Sequence, residues 1–104
     1  MSAYAWYEYT ATLSGTGHAE NEGEQVHCVI QMDMFGANRR ARNTVELEQE
    51  AGDLILFVVN PGPSRRIAHS KIWKVNEQRS AELGPPSNVH HIANSTIYFY
   101  TNKT

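Results

Sequence analysis

Along the first third of the chain, apolar and polar positions alternate with a period of two. Val26, Cys28, Ile30, Met32 and Met34 alternate with His27, Gln31 and Asp33, a pattern that a half-buried strand satisfies and a helix does not. Ala3 to Leu13 repeats it, with Ala5, Tyr7, Tyr9, Ala11 and Leu13 on one face and Trp6, Glu8, Thr10 and Thr12 on the other. Ser14 to Gly23, rich in Gly, Glu and Asn, reads as an acidic connection that joins the two runs into a long hairpin. Thr44 to Glu48 also alternates and turns at Ala51-Gly52-Asp53. The continuous apolar run from Asp53 to Val59 then reads as a central strand stopped by Asn60-Pro61, giving a second hairpin. Helix-favouring residues make a helix over Asn38 to Glu50 the alternative, although the apolar spacing there fits a period of 3.6 poorly.

Ile67 to Val75 is a further strand. Asn76 to Gly84 has the marks of a short helix, with Asn76 as N-cap and Gly84 as stop before Pro85-Pro86. Val89 to Thr101, with Ile97-Tyr98-Phe99-Tyr100, reads as the closing strand. The fold class that follows is all-β: an antiparallel sandwich or small barrel of about six strands, with one short helix near residues 77–83. Thr44 to Asn60 shares its pattern with many β-sandwiches, copper-binding ones among them. The Cys, His and Met ligands of a blue-copper site do not follow it.

With 104 residues, the chain is expected to form a single β domain over residues 1–104, burying roughly 65% of its unfolded surface without a disulfide or metal. Cys28 is the sole cysteine, so it reads as a small core side chain. The N-terminal residues lack a signal-peptide pattern and no stretch has the apolar length of a membrane span, so a cytoplasmic protein without membrane contact is expected. The sequons at Asn94 and Asn102 then have no route to glycosylation. Charge is unevenly spread, although the net is −2. Residues 1–37 hold five acids and no Lys or Arg, while residues 38–74 hold seven bases against four acids. That balance argues against binding duplex nucleic acid, which needs a broad basic footprint, and leaves room for a local basic patch.

Asn60 to Lys71, NPGPSRRIAHSK, is where such a patch falls. Two prolines stiffen the turn, and Ser64, Arg65, Arg66, His69, Ser70 and Lys71 supply donors suited to phosphate or carboxylate. His69 and Lys71 share a strand face. Trp6 and Tyr98 are candidates for stacking on a ligand. The five histidines have no metal-ligand spacing, and no nucleophile elbow, Walker loop or dinucleotide fingerprint is present, so no metal, cofactor or catalytic residue is assigned. The leading expectation is a non-enzymatic, homo-oligomeric binding protein for an anionic ligand, a nucleotide or phosphorylated metabolite, held by Ser64, Arg65, Arg66, His69, Ser70 and Lys71 with Trp6 or Tyr98. The alternative is a protein-interaction module, an inhibitor or assembly subunit, using an aromatic sheet face. A third is a phosphodiesterase in which His69 acts with His90 or His91.

Overall fold

A computed structural model describes residues 4–14, 24–33, 43–59, 66–92 and 95–100. Five strands form one antiparallel sheet: β1 (Tyr4–Ser14), β2 (Glu24–Asp33), β3 (Arg66–Val75), β4 (Asn88–Ile92) and β5 (Ser95–Phe99), in the order β3-β1-β2-β5-β4. Helix α1 (Thr44–Val59) lies between β2 and β3 in sequence, and α2 (Gln78–Leu83) between β3 and β4. The expected antiparallel β architecture is present, as an open sheet that is not closed into a barrel. None of the described helices is long and apolar enough to cross a membrane.

The expected first hairpin is in place, in the register Tyr4↔Asp33 to Leu13↔Glu24. Its alternation puts Tyr9, Ala11, Leu13, Val26, Cys28, Ile30 and Met32 on one face, joined there by Ile72, Ile97 and Phe99 from the other strands. Leu47, Ala51 and Ile55 of α1 cover this face. Burial drives the Cys28 thiol pKa upward, consistent with the packing role read for it.

Residues 44–59 correct the expected second hairpin, because they are helical throughout. Asn43 caps α1: its Oδ1 accepts from the Glu46 amide at 2.7 Å, and its carbonyl accepts from the Leu47 amide at 3.2 Å. Leu47, Ala51, Ile55 and Val59 recur every fourth residue, which aligns them on the face toward the sheet. Ala51-Gly52, read as a turn, is instead buried within α1 at a close approach to the sheet. A Cβ on Gly52 would meet Ile67 Cδ1 at 3.2 Å and the Tyr9 hydroxyl at 3.4 Å.

The expected last strand is two strands, β4 and β5, paired antiparallel from Asn88↔Phe99 to Ile92↔Ser95. With both 44–48 and 53–59 helical and 89–101 divided, the described residues hold five strands rather than about six. The short helix near 77–83 is present as α2, preceded by Glu77 rather than by an Asn76 side-chain cap, and ended by Gly84 at φ 82°. The acidic connection over 15–23, residues 38–42 and the turn over 60–65 lie outside the described residues.

Candidate functional site

The face of the sheet opposite α1 carries the polar half of each alternation. Strand β3 leaves the sheet at one edge and β4 enters at the other, so the segment holding α2 has to cross between them. It crosses on this outer face, where Arg79 of α2 reaches Glu8 of β1. Arg79 Nε donates to Glu8 Oε1 at 2.7 Å, and its Nη2 donates to Oε2 at 3.1 Å. Beneath that crossing, two outward-facing residues are buried, Val29 and Glu8, the latter only 3% exposed.

Glu8 also faces His27, whose Nε2 stands 2.6 Å from Glu8 Oε2. Burial alone would raise the Glu8 pKa. The hydrogen bonds from Arg79 and His27, with the positive charge of Arg79, outweigh it and hold the carboxyl below its ordinary value. Glu8 is therefore an acceptor only, and His27 Nε2 must carry the proton between them. With Nε2 carrying the proton, the acceptor of a neutral His27 ring is Nδ1.

Beside this cluster the outer face opens into a broad hollow of about 860 Å³, whose lining includes the outward-facing Thr10, Thr12, Gln25, His27, His69 and Lys71, together with Tyr100. Strand register explains the grouping. His27, Thr10 and Lys71 form one row across β2, β1 and β3, while Thr12 and His69 belong to the next row. A bulge at Thr12/Leu13 makes Leu13 pair with Ile67, so β3 is irregular immediately beside His69. Neighbouring strands lie about 4.8 Å apart, which places the His27 and Lys71 backbones roughly 10 Å from each other, with Thr10 between.

Tyr100 closes the wall next to His27, the ring centroids 5.8 Å apart. Its hydroxyl is buried and has no hydrogen-bond partner among the described residues. Burial foremost raises its pKa, so the group is a neutral O–H donor.

Of the residues singled out in the sequence, His69 and Lys71 stand in this hollow, both exposed and on the same face, as the alternation required. Ser70, between them, turns its hydroxyl to α1 and donates to Glu48. Arg66 is the first residue of β3, opposite Ser14; Ser64 and Arg65 lie outside the described residues. Trp6 and Tyr98 are on the outer face but stack on each other, with centroids 6.1 Å apart and an interplanar angle of 14°. Trp6 is four residues from Thr10 on β1, about 13 Å away, so that stack does not line the hollow. His90 and His91 do point to opposite faces. His90 meets the edge of Phe99 on the core side, and His91 lies within hydrogen-bond distance of Thr96 at 3.2 Å, on edge strand β4.

Four functional-looking residues were not assigned to a site from the sequence: Glu8, His27, Arg79 and Tyr100. Glu8 had one visible signal, an acid at the centre of an aromatic strand. Its partner Arg79 is 71 residues away and carries no spacing pattern. Among the described residues, no group of three or more His, Cys, Asp or Glu side chains is placed to hold a metal ion.

Compared with known proteins, the chain matches no family model, no curated protein and no solved structure.

Proposed function

We propose that the protein binds an anionic ligand, of the size of a nucleotide or phosphorylated metabolite, in the hollow on the outer face of its sheet. One observation carries this reading. Lys71, His69 and His27 stand around the threonine hydroxyls of β1, next to a buried Tyr100 hydroxyl that has no partner among the described residues. Lysine supplies the fixed positive charge, and the imidazoles and hydroxyls supply directional donors. The volume suits a ligand of this size. Arg66 opens the same strand three residues before His69, and Ser64 and Arg65 precede it in the sequence.

Calorimetry with inorganic phosphate and with nucleoside monophosphates tests the reading. Wild-type protein is expected to bind at least one of these, and the double variant Lys71→Ala/His69→Ala to bind it tenfold or more weakly. Both side chains are exposed, so the variant should keep the wild-type circular dichroism and melting behaviour. Equal binding by the two proteins, or no binding by either, removes the proposal.

A further inference from the structure

The groups around the hollow are proton carriers as well as charges. His27 is held by a buried carboxylate at 2.6 Å, the arrangement that fixes a tautomer and orients an imidazole for proton transfer. His69 stands on the far side of β1, one row along, and Lys71 lies in line with His27 across Thr10. Two imidazoles facing each other across β1, with a lysine beside one of them, can take a proton from an attacking group while giving one to a leaving group. Such a pair is most effective when the nucleophile is already attached to the substrate, because the attack is then intramolecular. A ribose 2′-hydroxyl beside its own 3′-phosphodiester is such a nucleophile. In a single strand that sugar is free to turn the hydroxyl into line with the departing oxygen.

Resting on the anion-site reading, we propose that the hollow takes single-stranded RNA across one phosphodiester and cleaves it by transfer to the neighbouring 2′-hydroxyl. His27 is the general base, His69 the general acid, Lys71 the charge-stabilising cation, and Glu8 the residue that positions His27. His27 Nδ1 accepts the 2′-hydroxyl proton as the 2′-oxygen forms its bond to phosphorus. The bond from phosphorus to the 5′-oxygen breaks, its electron pair stays on that oxygen, and protonated His69 supplies the proton. The products are a 2′,3′-cyclic phosphate and a free 5′-hydroxyl. One proton has passed from His69 to the leaving group and one from the 2′-hydroxyl to His27, and exchange with water restores both rings. Lys71 neutralises the charge that grows on the non-bridging oxygens, while Arg79 keeps Glu8 ionised and in place.

The test uses an end-labelled, mixed-sequence single-stranded RNA oligomer and its all-deoxy counterpart, incubated with the full chain, with products identified by mass spectrometry. The RNA is expected to yield cyclic-phosphate ends, and the deoxy oligomer to bind and stay intact. His27→Ala and His69→Ala, purified in the same way, should each cleave about 100-fold more slowly or worse, with deoxy-oligomer affinity changed only severalfold. Glu8→Gln should lower kcat about tenfold and leave KM and deoxy-oligomer affinity near wild type, a split that a merely structural contact would not produce. If His27→Ala does not fold, the exposed His69 carries the test alone. Deoxy-oligomer binding with intact RNA, or cleavage undiminished in His69→Ala, overturns the catalytic inference and leaves the anion site standing. If wild-type protein binds neither oligomer nor phosphate, the anion site itself has failed.

Discussion

The two faces of the sheet are made from the same strands and differ in what covers them. On one side the 16-residue α1 lies over an apolar surface from Tyr9 to Phe99, with the Ser70–Glu48 hydrogen bond at its β3 edge. On the other, the six-residue α2 buries none of its own residues and shields only Glu8 and Val29 among the outward-facing positions. The cover on that side is held by an ion pair rather than by area. Apolar burial under α1 supplies the stability, and the outer face is thereby free to carry a buried carboxylate, three histidines and a lysine, groups that would be costly in a core.

The sharpest way to break this comparison is to truncate one residue on each side. Ile30→Ala removes a fully buried side chain from the face under α1 and should cost about 2–5 kcal/mol in urea unfolding. His69→Ala, on the exposed outer face, should stay within about 0.5 kcal/mol of wild type. Similar losses for both would mean that the outer face is as well packed as the inner, and the division of labour would be wrong.

A smaller effect is expected at the one place where the outer face is buried. The Glu8 pKa lies below its ordinary value of 4.5 in the folded protein, so the folded state favours the ionised form. Its contribution is then fully present above the unfolded-state pKa and is lost as pH falls through the folded one. Glu8→Gln should be less stable than wild type at neutral pH by about 1–3 kcal/mol. The gap should close as the pH is lowered below about 4.5. Urea midpoints measured for both proteins across that range check the sign. A gap that stays constant with pH would show that Glu8 contributes shape alone.

How far each face could be read from the sequence follows the same division. The inner face of β1 and β2 was legible because a period of two has one explanation, and Val26 to Met32 shows it without interruption. His69 and Lys71 were placed together by that same rule. Glu8 was legible only as an outward-facing acid, since its environment is made by α2 crossing over from a distant part of the chain. The hollow was missed as a unit for the same reason: it needs the register of three strands, and register is not written in any one of them. Helix α1 was misread where two local signals competed. Leu54 to Val59 is a continuous run with two valines and a phenylalanine, composition that favours strands, and Ala51-Gly52-Asp53 resembles a turn. Against these stood a spacing of four from Leu47 to Val59 and the Asn43-Thr44-Val45-Glu46 start signal, an N-cap followed three residues later by Glu. The helix prevails because it seats Leu47, Ala51 and Ile55 on the sheet, burial that a solvent-edge hairpin would not provide.

That start signal supports the last and smallest effect. Asn43 is exposed and touches neither face of the sheet by any contact described, so its contribution comes through the amide it caps at 2.7 Å. Asn43→Ala should lower stability by about 1 kcal/mol, whereas Asn43→Asp or Asn43→Ser, which keep an acceptor oxygen, should lie within a few tenths of wild type. Because α1 packs on the inner face, losing the cap should ease exchange of the first-turn amides of α1 and leave amides around Glu8 and His27 as protected as before. If Asn43→Ala loosened both regions equally, the two faces would be unfolding as one unit, and the stability assigned to the inner face could not be spent separately from the outer. If it loosened the first turn alone, α1 would be the cover whose edge frays first, with the polar cluster anchored independently by Arg79.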